Sequence, residues 1–385
     1  MKNDARSFDV AIIGCGIVGA SIAHSLAAYC RVLLLEAEAS PGYHSTGRSA
    51  ALYAPSYGPP SIRALTRASW EFFEAAPADI FSDPILAPRG ALFVGTSEQQ
   101  DEVAQLHAQL TAERLHARLL DSAAARDIVP VLREEAAASA VCDSHAFEID
   151  VDLLLQGLLK SARSAGAELR KSAKVVGLTR LDNVWTITLE NGESIDVPIV
   201  VNASGAWVDK VAVLAGVAPI GIEPRRRSAF LFEPPDDVSC KEWPAVVAID
   251  ESWYFKPDAG LLLGSPANAD LVTPHDVVAE DIDVATGVYR IEEATTLTIL
   301  RPKSTWAGLR SFVADGEPVC GFDDQQPAFF WAAAVGGYGI QSAPAFGRLC
   351  ASLILGEEIP TDIVSEGLDL AALSPAREGL GRRED

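Results

Sequence analysis

Six residues leave this chain few folds to choose from. Gly14-Cys15-Gly16-Ile17-Val18-Gly19 follows directly on Phe8-Asp9-Val10-Ala11-Ile12-Ile13, a mostly apolar run of the kind that forms a strand buried on both faces. From Ile17 to Ala28 the chain is rich in Ala, Ile and Leu at helical spacing, and Val32-Leu33-Leu34-Leu35 is a second apolar strand that ends in Glu36. A strand, a glycine turn, a helix and a second strand imply a parallel sheet. Gly14 permits the tight turn, Gly16 lets the backbone approach a pyrophosphate, and Gly19 lets the helix pack closely on the strand. The helix N-terminus offers free N–H groups and a partial positive charge to phosphates. Glu36 lies 22 residues after Gly14, where its carboxylate can accept hydrogen bonds from ribose hydroxyls. A lone glycine pattern often serves packing alone. Here the strand before, the helix after and the acidic residue agree, so the unit is read as a dinucleotide site. The motif does not by itself separate NAD from FAD.

The chain after Glu36 does not enter a helix. Pro41-Gly42-Tyr43-His44-Ser45-Thr46-Gly47-Arg48-Ser49-Ala50 is small and polar, a composition suited to wrapping a ligand. Residues 97–137 read as helices, and Asp150 to Ala165 as an amphipathic helix. Lys174 to Arg180, Val184 to Leu189 and Ser194 to Val197 read as strands joined by turns at Asp182-Asn183 and Asn191-Gly192. Ile199 to Asn202 is another buried strand. Short strands at Ser228 to Phe232, Val246 to Ile249, Tyr254 to Lys256 and Leu261 to Leu263 suggest an antiparallel region. A strand at Phe329 to Ala334 leads through Gly336-Gly337-Tyr338-Gly339 into a helix from Ile340 to Leu355.

At 385 residues the chain is comfortable for two domains. A net charge of -22 argues against nucleic-acid and anionic-membrane partners. No segment carries the roughly 18 uninterrupted apolar residues of a membrane span. The N-terminal MKNDARSFDV lacks a secretory apolar stretch, so a cytoplasmic location is expected. The six cysteines are scattered and are expected to be reduced thiols, and the six histidines form no metal-like cluster, so no metal site is expected.

The glycine unit resembles the D-amino acid oxidase superfamily of FAD enzymes, which includes glycine and sarcosine oxidases. The loop 41–51 is more specific and resembles bacterial D-arginine dehydrogenases. So do Arg226-Arg227-Ser228-Ala229-Phe230, Gly264-Ser265-Pro266-Ala267-Asn268-Ala269-Asp270, Trp306-Ala307-Gly308-Leu309-Arg310-Ser311-Phe312 and Gly336-Gly337-Tyr338-Gly339-Ile340-Gln341. These segments occur in order across nearly the whole chain.

The resemblance implies an α/β fold: a Rossmann-type FAD-binding domain plus a mixed α+β substrate domain with a largely antiparallel sheet. The expected division is 1–80, 146–220 and 300–375 for FAD, 81–145 and 221–299 for substrate, and 376–385 as a tail. FAD would be held without a covalent bond. Gly14, Gly16, Ile17, Val18, Gly19, Glu36 and Ala37 would take its adenosine and pyrophosphate half, with Val175 on the adenine side. Ser45, Thr46, Arg48, Ser49 and Ala50 would lie along the flavin. Gly205, Trp207, Arg310 and the segment Gly336, Gly337, Tyr338, Gly339, Ile340, Gln341 would close around it. The helix starting near Ile340 would then favour a reduced, anionic flavin.

On the substrate side the resemblance assigns Arg227 and Arg310 as a carboxylate clamp, a task suited to the guanidinium fork. Arg225-Arg226-Arg227 also reads as a solvated charge run. Tyr57 would sit on a lid, Tyr254 would bond the carboxylate, and the Gly337 carbonyl would accept from the amine; half-buried aromatics are the plainer reading of the tyrosines. Hydride would pass from the α-carbon to flavin N5, leaving an imino acid for water to hydrolyse, with an electron acceptor the sequence does not identify. Lys256 has two readings, an influence on oxygen reactivity or a surface lysine.

Three positions depart from the arginine enzymes. Their glutamate after a Pro-Arg pair is Ala91 here, in Pro88-Arg89-Gly90-Ala91, and a His and a Thr near the lid are Leu52 and Ala54. With Val247 these make the side-chain pocket apolar, while Glu251 is retained. Neutral or apolar D-amino acids are therefore expected over D-arginine and D-lysine, since a buried guanidinium without a counter-charge costs several kcal/mol. Oxidation of secondary amines such as sarcosine, of glycine, or of 2-hydroxy acids are the alternatives, and a non-catalytic flavin-binding module is a third class.

Overall fold

In the strands Val10–Ile13 and Val32–Leu35 every side chain is buried, and alternate residues serve different cores. Val10, Ile12, Val32 and Leu34 pack with the helices Ile17–Leu26, Val151–Ser164 and Gly339–Leu355. Ala11, Ile13, Leu33 and Leu35 pack on the opposite side with Trp185, Ile187, Leu189, Val208 and Val211. This division explains why the sequence shows an unbroken apolar run and no alternation. The computed structural model describes residues 8–381 apart from 114, 116, 236 and 237, so part of the expected 376–385 tail lies outside the described residues.

These two strands lie inside a six-stranded sheet ordered Val319–Phe322, Phe329–Ala333, Ile199–Asn202, Val10–Ile13, Val32–Leu35, Glu168–Arg170. The first pair is antiparallel and the other pairs are parallel. All the parallel strands therefore end on the same side of the molecule. The expected hairpin strands form a separate three-stranded meander, Val175–Leu181, Val184–Leu189 and Ser194–Val197, with Asp182 and Asn183 both at positive φ (49° and 66°) as a two-residue turn requires.

A second, nine-stranded sheet carries the antiparallel region. Its one parallel pairing joins Ala91–Gly95 to Ala245–Ala248. The strand Glu223–Phe232 starts five residues before the expected Ser228 and pairs with Ser304–Phe312 from Glu223↔Phe312 to Leu231↔Ser304. Two expectations are corrected here. Residues 304–312, assigned to the FAD-binding part, supply an edge strand of the second sheet, where nine cross-strand pairs hold them to Glu223–Phe232. Residues 97–137 are not helical throughout: between the helices Gln100–Ala112 and Ser122–Ile128, Ala117–Asp121 is a strand on Ser139–Asp143. The pairing edge overrides local helix composition. A small sheet of Leu52–Tyr53, Phe147–Ile149 and Leu86–Pro88 lies between the larger ones in sequence, and puts Leu52 opposite Glu148.

Candidate active site

The glycine turn acts as backbone packed on backbone. Gly14 has φ +101°, and a Cβ there would lie 2.5 Å from the Ala203 carbonyl oxygen. A Cβ on Gly19 would lie 2.0 Å from the Gly14 carbonyl oxygen, so the helix can reach the strand only through glycine. Ile17 N–H donates to Thr46 Oγ1 at 3.0 Å, which ties the flanking loop to the helix start. Glu36 is buried; its carboxylate accepts from Cys15 N–H (3.0 Å) and Glu38 N–H (2.9 Å) and so faces the turn. Ala173 N–H bonds the Glu36 carbonyl at 2.8 Å, which sets Ala37 and the start of the strand at Val175 on that side.

Because the strands are parallel, Gly14, Glu36, Ala203 and Ala334 all follow strand ends on one side, where open α/β sheets bind ligands. Two helix N-termini meet there. Ser21 Oγ donates to Ala343 O at 2.6 Å, and a Cβ on Gly347 would lie 2.3 Å from Ser21 Oγ, so Ile17–Leu26 and Gly339–Leu355 pack through small residues. A Cβ on Gly339 would be 3.9 Å from Ile17 Cγ2. Val18 is buried in the first helix, and Ile340 packs against the same core. This side is thus bordered by two positive helix ends, a glycine turn and an oriented carboxylate, a set of groups that fits FAD.

Arg310 stands at the other end. Its Nη2 donates to Tyr57 Oη at 3.2 Å, and its guanidinium lies 5.3 Å from the ring centres of both Phe312 and Tyr338. No carboxylate among the described residues comes within salt-bridge distance of it. Burial opposes the charge, but Tyr57, Tyr338, Glu251 and Tyr254 more than offset this and raise Arg310 above the usual arginine range. A Cβ on Gly337 would lie 2.0 Å from Arg310 Nε, so that glycine is what gives the arginine its place. Gly336, at φ +56°, donates its N–H to Ser311 O (2.9 Å) and pins the segment to the second sheet. Tyr57 packs edge-on to Tyr338 at 4.9 Å and points its hydroxyl at Glu251 Oε2 (3.4 Å). Glu251 itself sits at φ 53°, a left-handed conformation unusual for glutamate. Tyr338 is pushed up to about 12, chiefly by burial and then by Tyr57, with Arg310 pulling it down.

The structure therefore brings Tyr57, Arg310, Gly337, Tyr338 and Glu251 together, with Tyr254 close enough to act on Arg310. Arg227 shares a sheet face with Arg310 through the register Arg227↔Gly308 and Arg225↔Arg310. Its Nε is bound to Asn268 O at 2.7 Å. The reading of 225–227 as a solvated run fails at Arg226, which turns inward onto Glu280, Asp283 and Asp270. Leu52, Ala54, Ala91 and Val247 share one apolar cluster with Phe93 and Val141, and Ala54 and Ala91 are sealed inside it.

Several side chains do something other than expected. Arg48 turns away from the cleft to Val277 O, Ala307 O, Tyr43 O and Asp276. Ser45 Oγ donates to Leu309 O (2.6 Å), and Ser49 Oγ accepts from Ala51 N–H (2.7 Å), next to Ala50. Gln341 clasps the 54–57 segment: its Oε1 accepts from Ala54 N–H and its Nε2 donates to Tyr57 O. Gly205, at φ +57°, opens a short turn whose Trp207 ring lies tilted against His44, 4.5 Å between ring centres. Lys256 is no surface lysine: it is buried and ion-paired with Glu148 and Asp258, and Glu148 also binds Arg89. Sequence reasoning missed Phe312 as an Arg310 neighbour, although its position two residues along the same strand was the available signal. Among the described residues no cluster suits a metal ion, and no helix is long and apolar enough to cross a membrane.

This geometry agrees with the comparisons. The DAO family of FAD dependent oxidoreductases matches residues 9–353, so the chain belongs to that family and its cofactor is FAD. It is 25% identical to glycine oxidase of Geobacillus kaustophilus over 374 residues, 92% of this chain and 95% of that one. The solved structure of a glycine oxidase from the same organism superposes with a TM-score of 0.83 at 22% identity, covering 97% of this chain and all of that one (100%). L-proline dehydrogenase from P. horikoshii superposes with a TM-score of 0.80 at 23% identity, covering 93% and 96%. The chain is also 27% identical to FAD-dependent oxidoreductase domain-containing protein 1 of Xenopus laevis over 208 residues, 47% of this chain and only 40% of that protein's length.

Proposed function

We propose that this FAD-dependent oxidoreductase oxidises the Cα–N bond of a small amino acid, a D-amino acid with a neutral or apolar side chain. The observation that carries the reading is Arg310, a half-buried guanidinium facing phenols, with no carboxylate in salt-bridge range among the described residues. A half-buried cation of this kind is stabilised by an anionic ligand, and its fork matches a carboxylate. Tyr57 and Tyr254 would add hydroxyl contacts, Arg227 a second cation from the same sheet face, and the Gly337 carbonyl would orient the amine. Bound FAD supplies the acceptor for the α-carbon's hydride; the protein positions that carbon and shields it.

The side-chain preference rests on Ala54 and Ala91, closed into an apolar cluster beside Leu52 and Val247. Of the carboxylates beside this cluster, Glu148, opposite Leu52, is ion-paired with Lys256 and Arg89. The D-configuration rests on the sequence segments shared with D-arginine dehydrogenases. The likeness to glycine oxidase and L-proline dehydrogenase favours a second reading, glycine or a secondary amine such as sarcosine, at the same carboxylate site.

Anaerobic mixing with D-, L- and N-methyl amino acids, followed by flavin absorption, separates these. Bleaching by neutral D-amino acids with little from D-arginine is expected. Bleaching by N-methyl compounds or glycine alone would favour the second reading, fast bleaching by D-arginine would remove the pocket argument, and silence across the panel would remove the amine reading.

A further inference from the structure

Arg48 is a cofactor-loop residue whose guanidinium never reaches the cleft. Its side chain is only 15% exposed, and all its nitrogens are used: Nε on Tyr43 O (3.2 Å), Nη1 on Val277 O (2.9 Å) and Ala307 O (3.1 Å), Nη2 on Asp276 Oδ1 (2.5 Å). Asp276 also accepts from Tyr43 Oη at 3.1 Å, and His44 Nδ1 stands 4.0 Å away. One carboxylate therefore gathers three residues of the 41–50 loop. The segment carrying it, residues 272–279, is rooted in the second sheet by Val272 N–H on Pro224 O (2.9 Å). Val277, 3% exposed, plugs a small cluster of Ala206, Ala307 and Leu309, with Trp207 packed against it. Lys210 Nζ donates to Pro274 O at 3.2 Å. The strap thus grips both the 41–50 loop and the 205–210 segment, which come from widely separated parts of the chain and which the family resemblance puts along the cofactor.

From this we infer that residues 272–279 are a latch over the cofactor cleft, closed by the Asp276–Arg48 pair, and that opening it sets the rate of FAD release. The inference rests on FAD as the cofactor and not on which amine is oxidised. Asp276 is the weak point. Its side chain is 54% exposed while Arg48 is enclosed, so the pair opens from the carboxylate side and responds to salt. The Val277 plug and the main-chain acceptors of Arg48 hold the strap in register but carry no charge.

The test uses holoenzyme and follows the rise of free flavin fluorescence after dilution. Asp276→Ala should release FAD about tenfold faster, as expected for losing charge-assisted bonds from one carboxylate, and Asp276→Asn less so. High salt should speed release from the parent and barely change the alanine variant. In the apoprotein, amide exchange in 272–279 and in 43–48 should rise together in Asp276→Ala. Should the alanine variant fail to fold, the asparagine variant and the salt series read the same quantity. Unchanged release in a folded Asp276→Ala or Asp276→Asn protein, or exchange rising in the strap but not in 43–48, would overturn the latch. Loss of all substrate turnover with FAD release altered as expected would leave the latch standing and bear only on the amine reading.

Discussion

The two ends of the cleft are built differently. At the glycine-turn end the decisive atoms are main chain: Gly14, Gly19 and the turn beside Ala203 approach so closely that a methyl group cannot enter. At the Arg310 end the decisive atoms are side chains from distant segments, Tyr57, Glu251, Tyr254, Arg310 and Tyr338. Backbone-built sites tolerate no residue change at the contact but ask nothing of distant sequence. Side-chain sites tolerate change at a price in affinity, and they exist only once two sheets have met.

Glycine substitutions sharpen this contrast most. Gly19→Ala should lose about 4 kcal/mol or more of stability, or abolish FAD-loaded protein, because its Cβ meets the Gly14 carbonyl. Gly337→Ala makes an equally short contact, but with a guanidinium that can move. It should keep FAD and near-parental stability while substrate affinity falls. Thermal melts with a flavin count read both; equal loss of fold in the two would break the contrast.

Arg310→Met should lower kcat/KM by about 100-fold or more with FAD retained, the scale of leaving a carboxylate without its buried partner. Arg310→Lys should recover only part, since an ammonium lacks the fork. Tyr57→Phe should cost about tenfold, the low end for one hydrogen bond to a charged group, because Arg310 keeps its own fork. If Tyr57→Phe were as damaging as Arg310→Met, the lid and not the cation would organise the site.

The smallest effect is one of pH. A free phenol titrates near 10, and Tyr338 is pushed up to about 12 in the folded protein, first by burial. The unfolded chain gives up that proton earlier, so stability should decline as pH rises from about 10 to 12. Tyr338→Phe should flatten this decline in denaturant titrations across that window. An unchanged slope would mean that Tyr338 is not the group responsible.

The same contrast explains what the sequence made legible. The Gly14–Glu36 unit depends on residues 22 apart and on glycine geometry that local chain order fixes, so its turn, helix and carboxylate are readable before any tertiary contact. Arg310 and Gly337 were readable through their family segments, but their mutual dependence, a Cβ 2.0 Å from Nε, is a tertiary fact. Arg226, Arg48 and Lys256 were misread or left open because a charged residue's partner is not a neighbour in sequence. Their partners lie at Glu280, Asp276 and Glu148. The Ala117–Asp121 strand was hidden for the same reason, since its edge partner decides it.

The central claim is that Arg310 holds a carboxylate beside FAD. The direct measurement is an anaerobic titration of parent and Arg310→Met holoenzyme with a substrate amino acid and with the matching amine that lacks the carboxylate, followed by flavin absorption. The account predicts that the parent binds the amino acid far more tightly than the amine, and that the variant binds both equally weakly. An Arg310→Met protein that still prefers the amino acid as strongly as the parent would contradict it.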